Sequence, residues 1–319
     1  MLESYLTQVF RQRRSGLAMV LGTNEIASAV AVHLERAGFG VVLSHDPDPP
    51  VIRRGMAFHD ALWGETVEIE GIRAEPIGRA YEVLAVAALA DRIAITRLGL
   101  VDLMVVGPFD LIVDARLHKY AATPDLRPLA RLSIGVGPGF AAGVDCTLAV
   151  ETRPARATTL LTRGATSEPD RIPQVLGGFG EERFARSTHI GRWHTAMPIG
   201  TRVYRGMIVG HLDGTAVAAP IDGILRGLVR DGFEVDEGVK LLEIDPRNRW
   251  QVQWTGIDSR ARAIAETVAM AAWDHLPHAR AEPVDERSPP NADIRRRSRR
   301  RRETAAPWPL GSSDRNDQR

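Results

Sequence analysis

Hydrophobic positions near the start of the chain alternate between short, continuous apolar runs and a helical rhythm. LAMVLG, from Leu17, closes on Gly22; NEIASAVAVHLERAG has apolar residues three and four apart; FGVVLSHD is a second β-rich run. The stretch therefore reads strand, turn, helix, strand. Asn24 suits the helix N-cap, and Gly38 suits the left-handed residue that closes it. Beyond a proline-rich link at 46 to 50 and the basic step IRRGMAF, the run TVEIEGIRAE predicts a hairpin turning at Glu70-Gly71. Residues 79 to 92 predict an apolar helix, and FDLIVDAR at 109 to 116 predicts a buried strand ending in charge. Continuous apolar strands separated by helices are the pattern of an open, mostly parallel sheet covered on both faces, so the fold class expected here is α/β with a Rossmann-like N-terminal domain.

The pattern then changes. RLSIGVGPGFAAGVDCTLAVET predicts two β runs, 131 to 136 and 146 to 151, joined by a glycine-rich loop. Residues 162 to 192 are polar, with a possible helix near EERFARS. An internal repeat follows: Gly200, Val203 and Gly206 are matched by Gly232, Val235 and Gly238, each offset by 32 positions and each followed by an apolar strand. Between the two copies lies APIDGILRGLV. Two tight glycine turns, each with a valine for a shared core, predict a β barrel-sandwich hybrid domain of the biotinyl/lipoyl type. The hairpin where such domains carry a modified lysine reads His211-Leu212-Asp213-Gly214-Thr215, so no lipoate or biotin is carried there. GIDSRARAIAETVAMAAWDHL at 256 to 276 predicts an amphipathic helix capped by Asp258 or Ser259. The domains expected are a Rossmann-like unit over 17 to 118, a glycine-rich segment over 119 to 188 that completes it, the barrel-sandwich unit over 189 to 247, a helical segment over 248 to 278, and a disordered basic tail over 279 to 319.

Composition narrows the chemistry. The chain has 319 residues and a single cysteine, Cys146, which excludes an internal disulfide and a CxxC site. Its basic residues are arginines apart from Lys119 and Lys240. Residues 279 to 319 hold 11 Arg against 7 Asp and Glu, which leaves residues 1 to 278 at −3 against a whole-chain charge of +1. A mildly acidic body argues against a nucleic-acid partner and makes RRRSRRRR a solvated tail. No apolar run is long enough to span a bilayer, and the basic residues of MLESYLTQVFRQRRSG follow the apolar ones, the reverse of a signal peptide, so a cytoplasmic protein without a membrane partner is expected.

Several positions could carry chemistry. At Gly22 and Asn24 the first βα turn departs from the dinucleotide fingerprint: Asn24 stands where a second glycine would admit a pyrophosphate, which leaves a structural turn as the main alternative. Gly137, Gly139 and Gly143 surround Pro138 in a loop able to offer amides to an oxyanion, or to make only a tight crossover. Asp145-Cys146 closes that loop, and a thiolate there would suit a soft metal or sulfur, whereas a buried thiol would be a small hydrophobe. Asp114 and Arg116 end a strand where open α/β sheets bind ligands, with Lys119 nearby. Arg53 and Arg54 could clamp a phosphate or be solvated. His189 and His194 have no third ligand and do not make a metal site.

VDARLHKY, GVGPGFAAGVDCTLAVET, GGFGEERF, APIDGILRGLVRDGFEVDEGVKLLEIDPR and SRARAIAETV, in that order, resemble the YqeB-type selenium-dependent molybdenum hydroxylase accessory family, which is related to XdhC/CoxI-like maturation factors. The resemblance runs over most of residues 17 to 272. It implies an accessory role in molybdenum hydroxylase maturation, a molybdopterin-type cofactor to bind, sulfurate or insert, a hydroxylase client as partner, and Cys146 as the family's cysteine and a molybdenum ligand. Asp145, Gly137, Gly139, Gly143, Asp114, Arg116, Arg54, Gly22 and Asn24 would complete the cofactor site. Two positions depart from the family: GTNEIASA at 22 to 29 where relatives carry GAGDLASG, and Thr147 where relatives carry histidine. Two other readings stay open: an NAD(P)-dependent oxidoreductase on the N-terminal unit, and a non-catalytic docking module for a partner enzyme. The residues leave undecided whether the chain is an enzyme.

Overall fold

A computed structural model describes residues 15 to 118, 123 to 154, 156 to 169 and 172 to 276; Lys119 and the expected tail at 279 to 319 lie outside the described residues. The first half runs β1 (Gly16–Leu21), α1 (Glu25–Arg36), β2 (Phe39–Ser44), β3 (Glu68–Ile69), β4 (Ile72–Pro76), α2 (Glu82–Ala87), β5 (Arg92–Thr96), α3 (Leu100–Leu103), β6 (Phe109–Asp114), β7 (Ala130–Val136), β8 (Ala141–Ala142), β9 (Leu148–Val150), β10 (Leu160–Leu161) and β11 (Gly164–Ala165). Nine of these strands form one mixed sheet in the order β10-β9-β7-β6-β1-β2-β5-β4-β3. Its centre is parallel, and β3 and β10 are antiparallel edges.

Strand β1 shows why its apolar run is unbroken. Ala18 and Val20 face one core with α1, while Leu17, Met19 and Leu21 face a second core with α2 and α3. Side chains alternate across a strand, so a strand covered on both faces must be apolar at every position. Asn24 caps α1, accepting from the amides of Ile26 and Ala27 at 2.9 and 3.0 Å. Gly38, at φ 89°, closes the helix. The predicted hairpin turns at Glu70 and Gly71, with φ 50° and 87°.

The second half is antiparallel: β12 (Phe184–Arg186), β13 (Gly191–His194), β14 (Arg202–Val203), β15 (Ile208–Leu212), β16 (Thr215–Ala218), β17 (Gly223–Leu228), β18 (Glu234–Val235) and β19 (Lys240–Asp245), followed by α4 (Ser259–His275). The strands form two four-stranded sheets, ordered β12-β19-β17-β14 and β16-β15-β13-β18. They share a core in which Trp193 is fully buried beside Val203 and Val235, the two valines of the repeat. The four repeat glycines adopt matching left-handed conformations, with φ 91°, 84°, 80° and 79°. At Gly200 an added Cβ would lie 2.5 Å from Trp254 Nε1, so close approach as well as turn geometry demands glycine there. Helix α4 returns to pack beside α1 on the large sheet, with Asp258 as its N-cap.

Three local expectations change. The helix expected over 79 to 92 is only α2, because Asp91 at φ 57° must turn the chain into β5. The segment EERFARS forms one 3₁₀ turn at Glu181–Arg183 and then β12. Pairing with the open edge of β19, and Phe184 under the Lys240 ammonium at 3.5 Å, override its helical composition. The run expected from 146 starts as a strand at Leu148, with Cys146 in an isolated bridge to Ala142.

Candidate functional site

A cleft of about 1210 Å³ opens between the carboxyl ends of the parallel strands and the antiparallel sheet that holds β19. From the sheet side it receives Gly22, Asn24, Asp46, Arg116 and Pro138; from the other side come Arg183, Lys240 and Glu243. Neighbouring β1 and β6 are the strands from which the chain runs outward in opposite directions, and their ends form the crevice where open α/β sheets take ligands. The turn after β1 is held from below, where Thr23 Oγ1 lies 3.2 Å from His45 Nδ1 and 3.0 Å from His59 Nδ1. It is held from the side by Asn24 Nδ2, which donates to the Ala115 carbonyl at 2.8 Å.

The site residues read from the sequence divide into two groups. Gly22, Asn24 and Arg116 line the cleft. Arg116 is bound to Asp114 at 2.6 Å and approaches Asp46 at 3.4 Å, so Asp114 positions it from beneath. Arg54 points elsewhere, donating to Asp60 and to the Leu228 carbonyl. The glycine loop also stays outside the lining apart from Pro138. Two of its three candidate glycine amides are committed internally, Gly137 donating to Val150 and Gly143 to Cys146, and Ala141 donates to the Asp145 carboxylate. At Gly135 a Cβ would meet the Phe140 ring at 2.2 Å, a packing reason for that glycine.

Cys146 is fully buried with Phe140, Ala142 and Ala149, away from the cleft. Burial foremost, and then neighbouring Asp145, push its thiol up to about 12. A thiol so protonated is neither nucleophile nor ready metal ligand. Among the described residues no group of three or more His, Cys, Asp or Glu is placed to hold a metal ion.

Of the cleft floor, sequence reasoning singled out only Arg53, which is paired with carboxylates instead of standing free for a phosphate. Glu243, fully buried on β19, accepts from three arginines: Arg53 at 2.7 Å, Arg226 at 3.2 Å, and Arg183. Arg53 also reaches Glu25 on the first turn of α1 at 2.8 Å, and Arg226 reaches Asp258, the N-cap of α4, at 2.8 Å. Burial alone would raise the Glu243 carboxyl; the guanidinium groups outweigh it and hold the carboxyl far below the usual carboxylate range. Arg260, in the first turn of α4, lines the same floor and donates to the Thr152 carbonyl at 3.0 Å. Burial, then the competing fields of Glu25, Arg53, Asp258 and Arg226, leave its pKa lowered. The one sequence signal for it was a basic residue at a helix N-terminus, where the macrodipole disfavours it.

These features define a mixed α/β protein with an arginine-floored cleft at the carboxyl edge of its parallel sheet. The chain is 30% identical over 266 residues to the "Uncharacterized protein YqeB" of Escherichia coli (strain K12). That protein carries the family name to which the sequence motifs point. The match covers 80% of this chain and 47% of the relative, so the chain spans about half the relative's length. No family model matches the chain, and no solved structure does so significantly. No described helix is long and apolar enough to cross a membrane.

Two outcomes follow from this geometry. Glu243→Gln leaves three buried guanidinium groups short of their shared carboxylate and should cost about 3–5 kcal/mol in urea unfolding. Because the folded-state pKa of Glu243 is depressed, its stabilisation is present above the unfolded value near ~4.3 and is lost as pH falls toward the folded one. Wild-type stability should therefore decline below about pH 4, and the variant should lose that part of the decline. Cys146 should react negligibly with an aromatic disulfide reagent at about pH 8 in the native protein and fully after unfolding; fast native labelling would contradict its burial.

Proposed function

We propose that the cleft holds a phosphate-bearing cofactor of the molybdopterin type and that the chain is an accessory protein serving a molybdenum hydroxylase client. The supporting observation is the cleft itself: about 1210 Å³, set at the strand ends where α/β sheets bind ligands, with buried guanidinium groups as its floor. The family resemblance in the sequence supplies the cofactor's identity. The donor set fits the anionic, hydrogen-bonding part of such a group, because Arg183 and Arg260 each keep a buried Nε without a partner among the described residues. It does not fit a cysteine-held metal, since the thiol lies away from the lining. In this reading residues 17 to 118 are a Rossmann-like domain and 189 to 247 a barrel-sandwich hybrid. Its β15–β16 hairpin turns at Asp213-Gly214, in place of a carrier lysine, and the domain serves as the cleft's second wall.

One feature favours a nucleotide instead. Asp46, just past the end of β2, lines the cleft where a doubly wound sheet presents a carboxylate to ribose hydroxyls. Asp46 is already engaged by Arg116 and by His118 at 3.1 Å, and Asn24 replaces the glycine that would admit a pyrophosphate. These contacts favour the pterin reading.

The test is retention. The full chain purified from a host that makes molybdenum cofactor should keep a pterin through desalting, read as the fluorescence of its oxidised form. Cys146→Ala should keep as much. A pterin-free wild type that instead binds NAD(H) or NADP(H) in titration would overturn the proposal in favour of the oxidoreductase.

A further inference from the structure

Four arginines form the cleft floor, and three of them are neutralised. Arg53, Arg183 and Arg226 share the carboxylates of Glu25, Glu243 and Asp258. Arg260 has no carboxylate within ion-pair distance among the described residues, and its Nε is buried without a partner. Over the whole lining nine Arg and Lys face nine Asp and Glu, so the imbalance is local to this end of the cleft. Arg260 is half-buried, and a guanidinium so placed, with a carbonyl but no carboxylate beside it, is stabilised when an anion joins it. Its place in the first turn of α4 carries a cost, because the positive end of the helix dipole opposes a cation there.

We propose that Arg260 anchors a subsite for a terminal phosphate monoester, completed by the first amides of α4 and by the Nε of Arg183. Amides at the first two helical positions, here Ser259 and Arg260, have no intrahelical acceptor, and the Asp258 side chain takes up only Ala261. Arg183 is 1% exposed, and its Nε is unpartnered while its other nitrogens hold Glu243 and the Gln174 carbonyl. Guanidinium donors lie in the plane of their fork, whereas helix-end amides point along the helix axis. A terminal phosphoryl group offers three acceptor oxygens in three directions, which suits them better than the two coplanar oxygens of a carboxylate. The neighbouring α1 terminus is not the subsite: Asn24 caps two of its amides, and Glu25 places a negative charge on its first turn. This inference deepens the cofactor reading by assigning which end of the ligand is held, and where.

The experiment uses the full chain and inorganic phosphate, at constant ionic strength against chloride, with calorimetric titration and thermal unfolding as readouts. Wild type should bind saturably and gain thermal stability with phosphate. Arg260→Gln should weaken binding by about tenfold or more while remaining folded, and Arg260→Lys should recover part of the loss, since a lysine keeps the charge without the planar donor fork. Arg131→Gln, on an exposed strand position, should bind as wild type does. No phosphate binding by wild type, or equal binding by Arg260→Gln, overturns the subsite. The cofactor reading fails separately: pterin retained equally by wild type and Arg260→Gln would leave that reading standing and remove only the phosphate anchor.

Discussion

The architecture depends on one buried carboxylate. Glu243 sits on the central antiparallel strand β19 and gathers Arg53 from the link after β2, Arg183 from the turn before β12, and Arg226 from β17. Through Arg53 it reaches the first turn of α1, and through Arg226 the cap of α4. Apolar packing holds each half of the molecule internally, in cores that are largely separate. The ionic network joins them at a set angle, because charges buried this deeply tolerate only an arrangement in which every guanidinium keeps its acceptor. Buried ion pairs add little net stability compared with apolar packing, and their value here is positional: they fix the two walls of a cleft.

That network also sets the polarity of the cleft. Two helices start on its floor, and their termini are prepared oppositely. Helix α1 has a side-chain cap and an acidic residue in its first turn, so its positive end is already answered. Helix α4 has a cap at Asp258 but an arginine in its first turn, so positive charge accumulates there. Asp258 is committed to Arg226, and among the described residues no carboxylate comes within ion-pair distance of Arg260. The electrostatic focus therefore falls at α4 instead of at the βα turn, where doubly wound folds usually place it.

The fold was more legible than the site, for a physical reason. Unbroken apolar strands such as β1, the Asn24 cap, the Glu70-Gly71 turn and the 32-residue repeat are local or periodic signals, written in consecutive residues. The cleft floor is assembled from Arg53, Arg183, Arg226, Glu243 and Arg260, which are far apart in the chain, and of these only Arg53, in its basic step beside Arg54, stood out in the sequence. The glycine loop misled in the other direction. Its glycines suggested free amides, but the structure uses them to admit the Phe140 ring and to close hydrogen bonds onto Val150 and Cys146. Cys146 followed from the same inference, because a residue next to a presumed anion loop inherits the loop's presumed exposure.

The same contrast between local turn and assembled site appears in the antiparallel half, whose β15–β16 hairpin tip lies outside the cleft lining. In the β15–β16 hairpin the left-handed pair Asp213-Gly214 makes a closed turn, and the Asp213 carboxylate accepts from the Arg192 amide at 2.9 Å, so the tip is tied back to β13. The charged groups that this half presents to the cleft are instead Arg183, just before β12, Arg226 on β17 and Glu243 on β19. What this antiparallel half provides is a sheet with a charged edge. Here that edge is one wall of the cleft.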